Sequence, residues 1–361
     1  MSSRFPKYFM AFGLLVAATV CDAVQVTDLY QASAPIVDRS DESRRAGMRQ
    51  AMAQVLVKLT GDPAAAGAPE TLALRNGAER YVQQFSYEMK AVSVAVNPTG
   101  QQTYLNAVFD QATLTAAIRE AGLPIWGRER PGTLVWLAVV NGEGERQYLG
   151  SDESGPVREA LDEAARDRGI PLLLPLLDIE ERAALQDDLP DFALLSEPYA
   201  ADAVLVVEVK AVTAFLGGPA TPDELYDSQW RFVLADEDKE RNQDIHWEMV
   251  QATLPVSMAG AVERVANELA LRYVDGDAQR TEERLTLTVI DVSDVDHYAR
   301  TVRYLENLDI VTAVAINAMS DKGLEIQVAV RGGLPLLQQT VEFGSVLRSV
   351  EEQPGTFRVL P

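Results

Sequence analysis

The chain of 361 residues holds 54 Asp+Glu against 32 Lys+Arg, a formal charge of −22, so its surface repels phosphate backbones and argues against nucleic acid or bare anionic lipid as a partner. Hydrophobic residues make up 47%, enough material for two or three ordinary cores. The single cysteine, Cys21, sits in a leader-like segment, which excludes disulfides, thiolate metal sites and cysteine nucleophiles from the chain beyond it.

Arg4 and Lys7 precede an apolar run from Tyr8 to Val20, followed by Cys21-Asp22-Ala23. This reads as a secretory signal peptide over residues 1–23, too short to span a bilayer comfortably and cut after Ala23. The expected product has no integral membrane span. Lipidation on Cys21 is the alternative, but Val20 stands where that signal wants a small residue.

Residues 24–122 read as a compact α+β domain in the order β-α-α-β-β-α. Val24 to Val37 is β-branched and predicts a strand. Asp41 or Ser43 can cap a helix along which Met48, Met52, Val55 and Leu59 recur at helical spacing, a stripe read as core packing, before Gly61 stops it. A second helix is expected over Glu70 to Gln84. Strands follow at Tyr87–Val96 and Tyr104–Phe109, joined through Asn97-Pro98-Thr99-Gly100. Asp110 or Thr113 then opens a helix that Gly122 closes.

Leu123 to Gly132 forms a stiff joint, because Pro124 and Pro131 fix their own φ and push the preceding residues towards extended conformations. Trp126, Arg128 and Arg130 are its candidate functional residues. They suit either an exposed interaction anchor or the seam between domains, and a large aromatic beside two prolines most simply fills the seam.

Four segments resemble an uncharacterised family: Val55 to Gly61, Tyr81 to Glu88, Val108-Phe109-Asp110, and Leu123-Pro124-Ile125-Trp126-Gly127 followed by Arg130-Pro131. They are similar to the hallmark segments of exported Gram-negative proteins classed as a domain of unknown function (DUF) numbered two-zero-six-six. The resemblance extends over most of the chain beyond the leader and implies a periplasmic protein. It brings no activity, cofactor or catalytic residue.

Residues 133–275 read as an α/β domain with mixed strands. Thr133 to Val140 is a near-continuous apolar run, as expected of a strand buried on both faces. A helix over Pro156–Arg168 and a strand over Ile170–Pro175 complete a βαβ unit. A short helix is expected at Glu180–Leu185 and a third buried strand at Ala203–Val212. Asp227–Leu234 and Ile245–Thr253 read as a hairpin, and Ser257–Val274 as a long helix. Ligands of such sheets sit beyond the carboxyl ends of parallel strands, here the loops after Val140, Pro175 and Val212.

Residues 276–283 are a polar linker. Beyond it, residues 284–361 read as a ferredoxin-like β-α-β-β-α-β domain: strand Arg284–Val292, helix Asp296–Leu308, strands Val311–Ala318 and Gly323–Val330, helix Leu334–Val350 and strand Thr356–Leu360.

Catalytic signatures are sparse. His246 and His297 have no histidine or cysteine nearby at zinc-ligand spacing. The acidic run Asp236 to Asp244 fails as a calcium loop, with Arg241 at its sixth position and Trp247 at its twelfth; it reads as a solvated hairpin tip. Asp291, Asp294 and Asp296 fit a helix start, where carboxylates complement the dipole. Gly142-Glu143-Gly144-Glu145 matches neither a phosphate cradle nor a nucleophile elbow. No catalytic residue, metal or cofactor is therefore expected. The function expected is a non-catalytic periplasmic protein that binds or scaffolds another envelope component, most simply a protein. The alternatives are a small-molecule binder using the central loops and a carboxylate-dependent envelope hydrolase, since many acidic pairs are open.

Overall fold

The computed structural model describes residue 26 and residues 28–91, 100–141, 143–186, 190–212, 225–234, 243–320, 323–351 and 353–361. The leader with Cys21, the turn residues 97–99, Gly142, the loop after Val212 and the acidic run 236–242 lie outside them. The described residues build a mixed α+β protein with three sheets. No helix among them is long and apolar enough to cross a membrane.

The N-terminal sheet, in order β1-β3-β2, is antiparallel. Its strands are β1 (Gln31–Ile36), β2 (Val82–Ala91) and β3 (Gln101–Phe109), and its helices α1 (Asp41–Thr60), α2 (Leu72–Asn76) and α3 (Gln111–Glu120). The Ser40 side chain caps α1 by accepting from the Ser43 N–H, and Met48, Met52, Val55 and Leu59 are buried in one core with Ala34, Leu105 and Phe109. The methionine stripe is thus packing. The cap is Ser40 where Asp41 or Ser43 was expected, and two further expectations change. The first strand is only six residues long, and the helix expected through Gln84 shrinks to α2, ending at Gly77. From Val82 the backbone pairs with β3 instead, satisfying its polar groups over ten residues where a helix would have had to absorb a glycine.

The central sheet runs β5-β4-β7-β8-β9, with β6 also paired to β4. Its strands are β4 (Thr133–Val140), β5 (Arg146–Leu149), β6 (Leu172–Leu173), β7 (Ala203–Ala211), β8 (Tyr226–Leu234) and β9 (Gln243–Ala252); its helices are α4 (Pro156–Arg168), α5 (Ile179–Ala184), α6 (Phe192–Ser196) and α7 (Leu254–Tyr273). β4 pairs in parallel with β6 and β7, and the other ladders are antiparallel. α4 and α7 share a core with one face of the sheet, while Trp136 and Leu134 pack with Phe192 and Leu195 on the other. That double burial explains the uninterrupted apolar run. The strand expected over Ile170–Pro175 keeps two residues, because Pro171 and Pro175 bracket it and neither can donate to a ladder.

The C-terminal sheet has the order β11-β12-β10-β14-β13. It contains β10 (Glu282–Ile290), α8 (Val295–Asn307), β11 (Val311–Ser320), β12 (Gly323–Arg331), α9 (Gly333–Glu342), β13 (Leu347–Ser349) and β14 (Thr356–Val359). The helix expected to reach Val350 ends at Glu342. A side chain at Gly344 would come within 2.9 Å of the Tyr304 ring, so the chain turns there under α8. It then forms β13 at the sheet's rim and doubles back as β14, which lies parallel to β10.

Candidate functional site

The ten-residue joint is where the three sheets meet. Ile125 belongs to the N-terminal core and Trp126, next to it, to the central core. A helix leaves its last four carbonyls without intrahelical partners, and the end of α1 satisfies one through its own Gly61 cap and two through the joint. The Val57 carbonyl accepts from Gly61 N–H, Leu59 from Trp126 N–H at 2.6 Å, and Lys58 from Arg130 Nη2 at 2.6 Å. Gly61 is left-handed, and a side chain there would strike Trp126 and Ala270 at under 3 Å.

Arg130 is 2% exposed and donates to five carbonyls: Gly127 and Trp126 in the joint, Lys58 in α1, and Arg168 and Gly169 at the end of α4. Its guanidinium lies 4.1 Å from the centre of the Trp126 ring. Burial lowers its pKa, but five carbonyl acceptors, three of them at two helix C-termini, the negative ends of their dipoles, hold it as a cation. Arg128, half-buried, donates to Gln111. From the C-terminal side, Asp309 accepts from Tyr30 Oη at 3.3 Å and from Arg119 through its backbone carbonyl, and Gln279 bonds both the N–H and C=O of Ile125. The cavity lined by Trp126 and Arg128 is about 40 Å³, room for a few waters at most, and a wider one of about 170 Å³ opens where Leu123, Gln279 and Asp309 meet. Trp126 and Arg130 are thus buried in the seam, and Arg128 lies half-buried beside them.

Beside the seam lies a larger opening of about 360 Å³, which the sequence reading missed. Its floor is the outer face of the N-terminal sheet, where the strand alternation puts Ser33, Asn106, Ser86 and Glu88 outward, and its wall is α4 with Glu163, Arg166 and Asp167. Some of the polar groups pair with each other: Ser33 donates to Asn106 at 2.5 Å, Asn106 to Glu88 at 3.1 Å, and Lys90 reaches Glu163 at 4.0 Å across the cleft. Lys58, 4% exposed, lies at the inner end and donates to the Gln31 carbonyl at 2.9 Å. Desolvation lowers its pKa to about 8, against the pull of Asp167 and Asp28. Desolvation raises the Asp167 carboxyl, against the pull of Lys58.

The sign of the Lys58 effect is definite. Folded Lys58 loses its proton near pH 8 and unfolded Lys58 near 10.5, so between those values the unfolded chain binds more protons and stability rises with pH, by about 1.4 kcal/mol per unit. The cost of burying the cation is fully present below pH 8. Above pH 10 the buried Tyr30 and Tyr304 phenols, held protonated by desolvation, act in the opposite sense. Urea unfolding at several pH values should show the rise from 8 to 10 in the native protein and its loss in Lys58→Met; an identical slope in both would show that Lys58 is solvated.

The remaining sequence candidates stay apart. His246, on β9, lies 3.0 Å from Asp244, and His297, in the first turn of α8, contacts Ser293. Asp294 caps α8 by accepting from His297 N–H, and Asp291 pairs with Arg358 at 2.9 Å. No group of three His, Cys, Asp or Glu among the described residues could hold a metal ion. After Val140, Asn141 Oδ1 accepts from the Glu143 and Glu145 N–H groups, and the Pro175 carbonyl from Ser151; neither loop lines the cleft. Only the Lys58 position carried a signal in the sequence: a lysine three residues after Val55 stands at the margin of the buried stripe.

A family model described as a domain of unknown function (DUF8605) matches residues 23–127. The family expected from the sequence was a different one, numbered two-zero-six-six, and this match overturns that assignment. No curated protein matches the chain. Among solved structures, the PelC dodecamer from Paraburkholderia phytofirmans is 11% identical with a TM-score of 0.21, over 52% of this chain and 98% of that one. A protein of the DUF330 family from Xanthomonas campestris is 13% identical with a TM-score of 0.17, over 40% and 84%. Superposition this loose bears on neither fold nor function here.

Proposed function

We propose that the protein is a non-catalytic periplasmic binding or scaffolding protein, exported through residues 1–23, which holds another envelope component in the cleft between the N-terminal sheet and α4. One observation carries this reading: the cleft is lined by hydroxyl, amide and charged groups, several of which pair with each other across its floor and wall, as a recognition surface would be. The seam supports it, because Arg130 ties the end of α1, whose Lys58 lies at the inner end of the cleft, to the end of α4, which forms its wall, and so preorganises the opening. On the same reading, residues 24–122, 133–275 and 284–361 are three modules, the last a variant of the ferredoxin-like unit with β13 added at its rim.

A photo-crosslinking residue in place of Ser86, exposed on the cleft floor, should give a discrete adduct in the osmotic-shock fraction, from a chain whose N-terminus is Val24. The same residue in place of Leu271, 82% exposed on α7, should not. Equal labelling at both positions, or none at Ser86, would sink the proposal. The acidic groups on both walls, Glu88 against Glu163 and Asp167, favour a second reading as a carboxylate-dependent hydrolase. It requires release of reducing ends from envelope glycans that disappears in Asp167→Asn.

A further inference from the structure

A chain with 54 Asp+Glu against 32 Lys+Arg has ample carboxylates to pair its arginines, so a cavity in which cations outnumber acids calls for an explanation. The cavity of about 170 Å³ beside the seam is of that kind. Three arginines line it from three separate elements: Arg119 in the last turn of α3, Arg280 in the turn Ala278–Arg280, and Arg331 at the end of β12. Asp309 is the one acidic residue in its lining. The cleft is built the other way, with Lys58, Lys90 and Arg166 facing Asp28, Glu88, Glu163 and Asp167.

Asp309 does not balance the three cations. Its Oδ1 accepts from Tyr30 Oη at 3.3 Å, and a side chain at Gly127 would come within 2.9 Å of its Oδ2, so the carboxylate is turned to the joint and only its backbone carbonyl accepts from Arg119. Among the described residues neither Arg119 nor Arg331 forms an ion pair, and Arg331 Nε is shut off from water with no acceptor. Glu282, opposite Arg331 on β10, accepts from Thr312 at 2.9 Å instead, and the Gln279 carbonyl accepts from Ile125 N–H. Arg280 meets Asp277 at 3.3 Å in an exposed pair, a contact of little strength. Desolvation first, and the charge of Arg331 next, lower the Arg119 pKa: the two guanidinium groups crowd one another where water screens them little.

We propose that this cavity binds a small oxyanion, a phosphate or a short dicarboxylate, held by Arg119, Arg280 and Arg331. Guanidinium forks match the paired oxygens of both anions. The guest supplies the acceptor that Arg331 Nε lacks, and it separates the charges of Arg119 and Arg331. Size restricts it: about 170 Å³ is below the range of drug-sized sites, which excludes a nucleotide or a sugar chain. Entry is open, because Gly122 and Gly276 line the cavity without side chains, and a side chain at Gly122 would meet nothing within 4 Å. The bound anion joins α3, packed on the N-terminal sheet, to the end of β12 in the C-terminal sheet. This proposal is independent of what the cleft binds.

Calorimetric titration of residues 24–361 at constant ionic strength, with sodium phosphate in one arm and sodium succinate in the other, should show saturable one-site binding of at least one anion with a Kd of about 1 mM or below. Phosphate alone assigns a tetrahedral guest, and succinate alone a dicarboxylate. The anion that binds should also raise the melting temperature, since it is held by the folded chain only. Arg331→Gln should weaken binding about ten-fold or more, with an unchanged circular dichroism spectrum. Should that variant misfold, Arg280→Gln, at an exposed position, takes its place. No saturable binding of either anion up to about 10 mM, an affinity unchanged in both variants, or an equal rise in melting temperature with sodium chloride would overturn the proposal.

Discussion

Arg130→Met should destabilise the protein by on the order of 5 kcal/mol. The substitution keeps much of the volume but removes every donor from carbonyls at the ends of α1 and α4 and in the joint. Each buried carbonyl left without a partner costs about 1–3 kcal/mol, and the sum is reduced by whatever water enters the small neighbouring cavity. Arg130→Lys should recover little of this. An ammonium is a point charge with three donors, and it cannot reach two helix ends and the joint from one position as the planar fork does. Denaturant unfolding followed by tryptophan fluorescence measures both variants, and a loss below about 1 kcal/mol in Arg130→Met would mean that the seam is not held by this side chain.

Trp126→Ala should cost about 3–5 kcal/mol, the range for emptying a large aromatic from a core. Trp126 is 4% exposed, fills the central core beside α7, and forms the platform on which Arg130 lies. The two substitutions share one structure, so their effects should not add: the double variant should be less destabilised than the sum of the singles by about 1 kcal/mol or more. Thermal unfolding of the four chains tests this, and strict additivity would place Trp126 and Arg130 in separate interactions.

What the sequence conveys here depends on whether a residue's partners are close in the chain. The buried strand β4 was readable because eight residues without a charge can be accommodated only where both faces are covered. The stripe on α1 was readable because its helical spacing repeats from Met48 to Leu59, and Pro124 and Pro131 restrict their own backbone whatever surrounds them. Arg130 was readable as a seam candidate but its work was not, since its acceptors are backbone carbonyls up to 72 residues away and any residue type supplies a carbonyl. The cleft was hidden for a related reason. Its floor is built from the outward positions of β2 and β3, which look like ordinary solvent-facing residues until α4 is brought over them. β13 was lost because three residues after a helix, with Leu347 in register with the preceding apolar positions, continue a helical pattern as well as they begin a strand.

The capping of α1 by the joint changes what counts as a unit of this protein. By chain position α1 belongs with β1 to β3, but its final turn is completed by Trp126, Arg130 and, through the Gly61 carbonyl, Arg168. A segment ending at residue 127, the limit of the family match, includes the tryptophan and leaves out both arginines. The longest helix packed on the N-terminal sheet thus takes part of its C-terminal capping from Arg130 and Arg168, beyond residue 127. Inheritance of such a module by a different chain would have to bring an equivalent cation with it, or a different way of ending the helix.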